Sequence, residues 1–556
     1  MKKGILILLS LVVVLAGCNP DRFGAVSDEV YTEGDASDFD GNVVSADNPG
    51  VDQAPPNVIA IQLEAFQTFV LNRSIQGIEI TPRLNELIRE SAYFPNFYLQ
   101  NGGGSTSDAE FMMNTSLHPF KYPQSVAVDA SDKKFDSLPR LLRPLGYTST
   151  TLHTNHIMFW NRKNFYSALG FDSYYDKTYF GLKDVIASGS SDQVLFEKGM
   201  DVLKALKKPF YAQFITMSGH YPFTIPNKLK SMELPDVYEG NLVGHYLHAA
   251  RYVDETIGDF IDALRSNGLW DNTVLVLYGD HSGLQMKFVK EKESAALKEL
   301  LGRAYDKIDA LQVPLIIHGN GAKVGEHSIA GGHLDILPTL LPLLGLEMRT
   351  PFFGVDLFTE ADHPVAVRSS FAEEGTFVYK DVLFDAADAS LLSLKTRERP
   401  EEVPFDASEV KQRLLQQFQT SDDLIRALPT KDDSFGIRVL LTEPSDVYAT
   451  PDERRPAVGS LAEGTEIVAY RSQGDWYSFS GEDGAEAWVR TFHPIQEVFK
   501  LLYLPGKAKL FPEPDESSKP RLEIGKQTLY VLAEWKDTGW YQVSTSFGEE
   551  LWVQVK

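Results

Sequence analysis

Two runs of consecutive apolar residues predict buried β-strands in the first half of the chain. They cover 57–63 and 272–278, and both are apolar on each face, as strands of a parallel sheet covered on both sides must be. Apolar residues at helical spacing predict helices over 82–91, 243–266 and 334–346. Because strands alternate with helices, the pattern predicts an α/β fold with a mostly parallel sheet flanked by helices.

A short pattern occurs twice near the carboxyl terminus. Each copy carries two tryptophans twelve residues apart, and these are Trp476, Trp488, Trp540 and Trp552. Alternating apolar and polar residues between glycine, aspartate and serine turns surround each pair, which is typical of small β-barrels. The sequence therefore predicts two barrels, at 431–495 and 496–556, which resemble the bacterial Src-homology-3-like modules of exported envelope proteins. Ligand binding and a purely structural role are both open for them.

The amino-terminal segment has the pattern of an export signal. Lys2 and Lys3 precede an apolar run over 5–17, which is too short to span a bilayer but has the length of a signal-peptide core. The run ends directly before Cys18, the only cysteine, in a context that resembles the lipobox of bacterial lipoproteins. The resemblance implies a signal peptide at 1–17 and lipidation of Cys18, which would anchor the protein on the extracellular face of the bacterial cell membrane. An ordinary secretory signal with a chance cysteine is the alternative.

Acidic residues dominate the next segment and the chain as a whole. Residues 18–56 contain Arg22 as their only basic residue and end in two prolines, which favours a disordered linker. In the full chain, 77 acidic and 53 basic residues leave a formal net charge of −24. This charge argues against a protein that binds nucleic acid through a general basic surface. A single cysteine also excludes an intrachain disulfide and a cysteine-ligated zinc site.

Side chains that can bind a metal follow both predicted strands of the α/β region. Glu64 comes directly after the first strand, and Asp280 and His281 follow the second. In open α/β sheets, functional sites lie beyond the carboxyl ends of the strands. The sequence therefore places these three side chains where such a fold carries its chemistry.

The segment 101–111 combines a run of three glycines with a helix start. Ser107 and Glu110 fit a capping box, so a helix is expected to begin just after Thr106. Glu110 and Asp108 are interpreted as residues that complete this helix start. A helix N-terminus favours anions, and a threonine hydroxyl there becomes a nucleophile once a metal or a base activates it. A glycine-rich loop with an N-cap and no chemistry is the alternative.

Together these residues match, in order and local context, the metal-binding motifs of the lipoteichoic acid synthase branch of the alkaline phosphatase and sulfatase superfamily. The resemblance covers roughly residues 57–390 and predicts a sulfatase-like domain over 57–430. It implies one Mn²⁺ ion held by four residues: Glu64, Thr106, Asp280 and His281. It also implies that Thr106 attacks the phosphodiester of phosphatidylglycerol. An oxygen-rich site with one imidazole suits Mn²⁺ or Mg²⁺, and Zn²⁺ is a further alternative.

Two further stretches extend the resemblance to the substrate side. Residues 152–162 resemble the segment in which a histidine, a tryptophan and an arginine surround the phosphoglycerol head group, and 216–223 resemble the segment with another substrate-side histidine. The residues implied are His153, Trp160, Arg162 and His220. Arg162 can fork onto phosphate oxygens, Trp160 can line the pocket, and His220 can bind a phosphate oxygen or protonate the leaving alkoxide.

The chain departs from the polymerising members of that family, because a lipid anchor is expected in place of several transmembrane helices and two barrels are added. The predicted function is an extracellular, metal-dependent phosphoglycerol transferase. It would pass glycerol phosphate from a phosphatidylglycerol-type head group to a cell-wall or glycolipid acceptor through a phosphothreonine intermediate. A teichoic-acid or glycerophosphodiester hydrolase and a catalytically silent wall-binding lipoprotein are the alternatives. The residues after Thr106 lack the Cys/Ser-x-Pro-x-Arg motif of ordinary sulfatases, which argues against sulfate-ester hydrolysis.

Overall fold

A computed structural model of the chain describes residues 44–45, 54–319, 321–347, 352–359, 362–369, 372–431, 435–481, 485–545 and 549–555. The predicted signal peptide 1–17 and Cys18 lie outside the described residues, as does most of the predicted linker 18–56. Two residues of that linker, Val44–Ser45, pair antiparallel with Leu346–Glu347. None of the helices in the described ranges combines the length and the apolar character that a membrane crossing needs.

An eight-stranded sheet forms the centre of the first domain. Its strands are β1 (Asn57–Leu63), β2 (Ala92–Phe94), β3 (Thr148–His153), β4 (Ser173–Tyr175), β5 (Phe210–Ile215), β6 (Thr273–Gly279), β7 (Leu315–His318) and β8 (Gly325–Glu326). Their spatial order is β8, β2, β7, β6, β1, β5, β3, β4. The run from β6 to β4 is parallel, whereas β7 pairs antiparallel with β6 and β2. The predicted, mostly parallel α/β sheet is confirmed.

The central strands are apolar on both faces because both faces are covered. All residues of β1, β5 and β6 are buried. Successive residues of a strand point to opposite faces. Val58 and Ala60 accordingly belong to one apolar core, while Ile59 and Ile61 belong to a second core across the sheet.

Helices cover both faces of this sheet and follow its edges. They are α1 (Pro82–Arg89), α2 (Thr106–Thr115), α3 (Val126–Asp129), α4 (Leu138–Leu142), α5 (Arg162–Leu169), α6 (Lys177–Phe180), α7 (Asp192–Ala205), α8 (Leu242–Ser266), α9 (Glu291–Leu301), α10 (Lys307–Leu311), α11 (Ile336–Leu343) and α12 (Ala407–Ala427). The three helices predicted from periodicity correspond to α1, α8 and α11. The last begins two residues later than expected, because a 3₁₀ turn at His333–Asp335 precedes it.

A small antiparallel sheet and the long helix α12 complete the first domain. The sheet contains β9 (Val365–Val367), β10 (Thr376–Tyr379), β11 (Val382–Asp385) and β12 (Ser390–Ser393), in that order. Val410, Leu414 and Phe418 of α12 form an apolar cluster with this sheet. A buried ion pair fastens the helix, with Arg368 Nη1 donating to Asp422 Oδ1 at 2.7 Å and Nη2 to Oδ2 at 3.0 Å.

The remainder of the chain forms antiparallel sheets of small β domains. The strands are β13 (Ile437–Leu440), β14 (Ser445–Tyr448), β15 (Gly459–Leu461), β16 (Glu466–Ala469), β17 (Arg471–Gln473), β18 (Trp476–Ser480), β19 (Glu486–Arg490), β20 (Ile495–Leu504), β21 (Ala508–Leu510), β22 (Leu522–Ile524), β23 (Gln527–Trp535), β24 (Trp540–Ser544) and β25 (Glu550–Gln554). One sheet has the order β15, β14, β19, β18, β17, and the other has β16, β13, β20, β23, β24, β25.

Strand β20 joins the two predicted modules. Its first two residues pair with β13 of the first module, and most of its length pairs with β23 of the second. The predicted boundary at 495/496 therefore falls inside a strand of one continuous sheet. Trp488, Trp540 and Trp552 are buried in the apolar interior of these sheets or between their strands. We refer below to residues 435–555, without the gaps given above, as the C-terminal domain.

The buried pair between Arg368 and Asp422 gives a test of how α12 is held. In Asp422→Ala, the buried Arg368 would lose its bidentate carboxylate and keep only Glu374, 3.4 Å from Nε. Loss of one partner of a buried pair typically lowers the free energy of unfolding by about 3–5 kcal/mol, and Glu374 should keep the loss near the lower end of that range. Asp423→Ala is the matched control, because the Asp423 side chain is 65% exposed and its ion pair with Arg426 lies at the surface. We expect the control to change the free energy by less than about 1 kcal/mol. Urea unfolding of both variants measures the difference, and equal midpoints would contradict the assigned role of Asp422.

Candidate active site

Four neighbouring parallel strands end at one edge of the main sheet and carry the candidate site. Glu64 directly follows β1, Asp280 directly follows β6, and His153 is the last residue of β3. His220 lies in the loop after β5. Because the carboxyl ends of parallel strands face the same way, residues that are far apart in the chain meet there.

Glu64, Thr106, Asp280 and His281 form one cluster at this edge. Thr106 Oγ1 lies 3.3 Å from Glu64 Oε2 and 3.4 Å from His281 Nε2. His281 Nε2 lies 3.3 Å from Glu64 Oε1 and 3.7 Å from Asp280 Oδ2. The candidate ligand atoms of Glu64, Asp280 and His281 all lie within 4.8 Å of one another. The structure thus brings together the four side chains for which a shared metal ion was predicted.

Each carboxylate in the cluster keeps one oxygen for a cation. Asp280 Oδ1 accepts hydrogen bonds from the backbone N–H groups of Ala65 and His281, each at 2.7 Å. Asp280 Oδ2 and Glu64 Oε1 are buried, and neither has a hydrogen-bond partner within the described ranges. A buried carboxylate oxygen without a partner is costly unless an ion or a donor reaches it. Two carboxylates, one imidazole and one hydroxyl therefore fit a divalent cation such as Mn²⁺, Mg²⁺ or Zn²⁺.

The pKa shifts of Glu64, Asp280 and His281 also indicate that a cation would stabilise the cluster. Burial raises the pKa of Glu64, but the neighbouring His281 outweighs burial and lowers it to about 2. Burial raises the pKa of Asp280 to about 8, with His281 opposing and Glu64 adding to that rise. Burial lowers the pKa of His281, whereas Asp280 and Glu64 together raise it to about 10. One imidazolium thus compensates one carboxylate, and a divalent cation would stabilise the ionised form of both.

The backbone around Thr106 is shaped to present its hydroxyl. Helix α2 begins at Thr106, with Ser105 as N-cap in a backbone conformation of positive φ (φ 47°, ψ −114°). The side chain of Gln62 in β1 donates to the Thr106 carbonyl at 3.0 Å. Gly104 donates its N–H to Asp108 Oδ2 at 2.8 Å, and a Cβ atom at Gly104 would lie only 2.2 Å from Asp108 Oδ1. Glycine is therefore required at 104 for the close turn that leads into the helix.

The predicted capping box is wrong, and Glu110 has a different role. The N-cap is Ser105, and Ser107 lies inside the first turn with its hydroxyl donating to the Gly104 carbonyl at 2.9 Å. Glu110 instead forms a buried ion pair with Arg162, whose Nε and Nη2 donate to Glu110 Oε1 at 3.0 and 2.8 Å. Ser107 and Glu110 have the spacing of a capping box, but the Glu110 carboxylate pairs with the buried Arg162 of α5 instead. Asp108, through its bond to Gly104, does complete the helix start.

Arg162 uses one edge of its guanidinium group to bind Glu110. Two of its three nitrogens donate to Glu110, and Tyr166 also donates to Glu110, at 2.6 Å. Its remaining nitrogen, Nη1, is buried and has no hydrogen-bond partner in the part of the chain that the structure describes. Nη1 and the second hydrogen of Nη2 therefore remain for a further acceptor, which includes the two oxygens of a phosphate as predicted.

The two histidines expected on the substrate side have defined tautomers. His153 Nδ1 donates to the carbonyl of Ile215 at 2.9 Å, and burial lowers the pKa of His153 to about 3. His153 Nε2 is therefore an unprotonated acceptor at neutral pH. His220 Nδ1 donates to the carbonyl of Tyr221 at 2.7 Å, which leaves Nε2 as the atom available for chemistry.

Trp160 contacts the C-terminal domain. It is partly buried and adopts a left-handed backbone conformation (φ 58°, ψ 21°). Its ring lies 5.5 Å from the ring of Tyr530 in the C-terminal domain. The contact observed for Trp160 is therefore with the C-terminal domain, and its place in the pocket stays a prediction.

Sequence reasoning missed three polar residues that hold the site in place. Asn101 Nδ2 bridges the carbonyls of Ser105 and Asp280 at 2.9 and 2.8 Å. Asp192 at the start of α7 accepts from the backbone of Met217 and Ser218, and so fixes the segment before His220. Gln62, described above, is the third. Asn101 opens the glycine segment, which is a weak signal, but nothing near Gln62 or Asp192 in the sequence marks them.

The fold and the site define an enzyme class. Residues 56–346, more than half of the chain, match the family model described as Sulfatase. The chain therefore belongs to the sulfatase family, within the alkaline phosphatase superfamily. A structure described as a protein in the alkaline phosphatase superfamily, from Vibrio parahaemolyticus, shares the fold with a TM-score of 0.54 at 20% identity, over 68% of this chain and 88% of that chain.

Within this class the chain is homologous to lipoteichoic acid synthases. It is 36% identical over 381 residues to lipoteichoic acid synthase 1 of Bacillus subtilis, which covers 66% of this chain and 57% of that protein. The crystal structure of the lipoteichoic acid synthase LtaP from Listeria monocytogenes matches with a TM-score of 0.64 at 30% identity, over 71% of this chain and 98% of that chain. The chain thus spans less than two thirds of the length of the curated relatives it matches.

Binding of Mn²⁺ tests the cluster directly. We expect Asp280→Asn to weaken Mn²⁺ binding by more than about 100-fold, because loss of a direct ligand should exceed the 10–100-fold typical of outer partners. Asp271→Asn is the matched control, since Asp271 is exposed and lies just before the opposite end of β6. Isothermal titration calorimetry measures both affinities. Equal affinity in the two variants would show that the cluster does not bind the ion.

Proposed function

We propose that the protein is a metal-dependent phosphoglycerol transferase that uses Thr106 as its nucleophile. The observation that carries this proposal is the position of Thr106 Oγ1, at the N-terminus of α2 and within 3.4 Å of both Glu64 and His281. Homology to lipoteichoic acid synthases supports the substrate class, a glycerophosphate ester. Glu64, Thr106, Asp280 and His281 would hold a divalent ion, which we propose to be Mn²⁺. When bound, that ion supplies a Lewis acid that lowers the pKa of a hydroxyl and polarises phosphoryl oxygens.

In the first step, Thr106 Oγ1 forms a bond to phosphorus, and the proton that it releases to solvent is balanced by the proton that the departing alkoxide takes up. The bond from phosphorus to the oxygen of diacylglycerol breaks, and glycerol phosphate remains on Thr106 as a phosphodiester. The aligned N–H groups at the start of α2 favour the negative charge that develops at this position. In the second step, an acceptor hydroxyl attacks the same phosphorus and gives up its proton, while the bond from phosphorus to Thr106 Oγ1 breaks and Thr106 regains a proton.

Residues on the far side of the cluster would orient the phosphate and handle the proton. Arg162 Nη1 is a buried donor without a partner in the described ranges and suits one phosphate oxygen. With Nδ1 donating to Tyr221, His220 would carry a proton on Nε2 in its imidazolium form, and in that form it would donate to the departing alkoxide or to a phosphate oxygen. His153 Nε2, unprotonated at neutral pH, suits a hydroxyl of the glycerol group as acceptor.

The cellular setting follows from the sequence. Lipidation of Cys18 would anchor the enzyme on the extracellular face of the cell membrane, where a phosphatidylglycerol-type head group is within reach. A cell-wall or glycolipid hydroxyl would accept the glycerol phosphate. The same first step followed by attack of water would make the protein a hydrolase of glycerophosphodiesters.

Release of diacylglycerol from fluorescent phosphatidylglycerol tests the proposal. We expect the full-length chain with Mn²⁺ to release labelled diacylglycerol, and Thr106→Val to lower the rate by at least about a thousandfold, because a nucleophile is lost. Thr115→Val, at the other end of α2, is the matched control and should retain its activity per folded molecule. Mass spectrometry of the acid-quenched enzyme should find glycerol phosphate on Thr106.

The products separate the alternatives. Glycerol phosphate attached to an added glycolipid supports transfer, whereas free glycerol phosphate in the presence of that glycolipid supports hydrolysis. A wild-type rate equal to that of Thr106→Val would contradict both, and would leave the wall-binding interpretation of the C-terminal domain.

A further inference from the structure

The C-terminal domain is docked directly beside the proposed active site. Leu532 of β23 belongs to the same apolar core as Val58 of β1. The ring of Phe435 lies 5.0 Å from the ring of Tyr174 at the edge of the main sheet. All described residues fall in one compact unit. The C-terminal domain is therefore part of the body of the enzyme, although the family's motifs lie outside it.

The contact falls on residues 157–163, which we term the Arg162 segment. Trp160 and Asn161 in this segment both have left-handed backbones, with φ of 58° and 54°. Asparagine adopts this conformation readily, whereas a bulky residue such as tryptophan does so only where its surroundings enforce it. Asn161 is held by its own domain, because its Nδ2 donates to Ala127 O at 3.0 Å and to Ser131 Oγ at 2.8 Å.

Aromatic rings of the C-terminal domain pack against Trp160, the other residue with a left-handed backbone. The Tyr530 ring lies 5.5 Å from the ring of Trp160 and 4.9 Å from that of Phe159. Behind it, Phe499 lies 6.2 Å from Tyr530. Tyr530 therefore covers the two residues that immediately precede the Asn161–Arg162 step.

A buried ion pair holds the end of the segment. Lys163 Nζ donates to Glu497 Oε2, and the two side chains are only 4% and 5% exposed. Glu497 also accepts from Arg438 through both the backbone N–H, at 2.7 Å, and the side chain. Arg162 thus lies between two residues, Trp160 and Lys163, that are both fixed by the C-terminal domain.

We propose that the C-terminal domain is a positioning element of the active site, in which Tyr530 and Glu497 hold the Arg162 segment so that Arg162 Nη1 points to the substrate phosphate. The inference rests on the proposed function for the role of Arg162. It assigns the C-terminal domain a part in substrate binding that does not require it to bind the cell wall. Tyr530 and Glu497 act through the segment, and the reacting atoms are contacted by Arg162.

Substitution of Tyr530 in the full-length chain tests this role. We expect Tyr530→Ala to raise KM for phosphatidylglycerol by about tenfold or more, because a small displacement of a phosphate-binding group is enough for such an effect, and to change kcat much less. Tyr530→Phe keeps the ring and should restore KM. Tyr503→Ala is the matched control, because Tyr503 is 54% exposed on the neighbouring strand β20. Its KM should equal that of the wild type.

Hydrogen exchange measured by mass spectrometry gives a second readout that needs no turnover. Peptides over 157–163 should exchange faster in Tyr530→Ala than in the wild type, and at the wild-type rate in Tyr530→Phe and Tyr503→Ala. Should Tyr530→Ala fail to fold, Tyr530→Leu takes its place with the same expectations.

The outcomes separate this inference from the proposed function. Wild-type KM and unchanged exchange in Tyr530→Ala would overturn the positioning role, and so would an equal effect of Tyr503→Ala. If the wild type itself releases no diacylglycerol, the proposed function fails. The exchange rates would then still decide whether Tyr530 holds the Arg162 segment.

Discussion

Burial of two carboxylates beside a hydroxyl is the constraint on which the rest of this structure depends. Glu64 and Asp280 each leave one buried oxygen without a hydrogen-bond partner in the described ranges, and His281 is the only cation in contact with both. Two negative charges at such a distance in a medium of low polarity repel strongly unless a cation lies between them. The neighbouring backbone is accordingly arranged to orient these oxygens, and Thr106 is placed where a bound ion would act on its hydroxyl.

The fold supplies this arrangement through polar residues that never touch substrate. Gln62 ties the start of α2 to β1, and Asn101 ties it to the end of β6. Asp192 ties the segment before His220 to the start of α7. Such supporting bonds hold the side chains of a site in place. The buried pair of Arg162 and Glu110 connects α5, with the proposed phosphate-binding group, to α2, the helix that begins at Thr106.

The C-terminal domain is packed against the sulfatase-type domain and is not a separate appendage. The two predicted modules share strand β20, so they form one continuous structure. Buried contacts through Glu497, Leu532 and Tyr530 attach that structure to the sulfatase-type domain beside the site. Its attachment at the Arg162 segment explains how a tryptophan can keep a left-handed backbone there.

The sequence by itself determined the alternating strands and helices, because the spacing of apolar residues can be seen within each segment. The continuous apolar run at 57–63, for example, indicates a strand that is buried on both faces. It also determined that Glu64, Thr106, Asp280 and His281 belong together, since their motifs match a family in order and context. Only the tertiary structure decided which partners buried charges choose. Glu110 forms an ion pair with Arg162 instead of the predicted capping box, and Glu497 of the C-terminal domain forms one with Lys163. A buried charge is stable only beside a counter-ion, which can come from any part of the chain. Spacing along the chain carries no information about such long-range pairs.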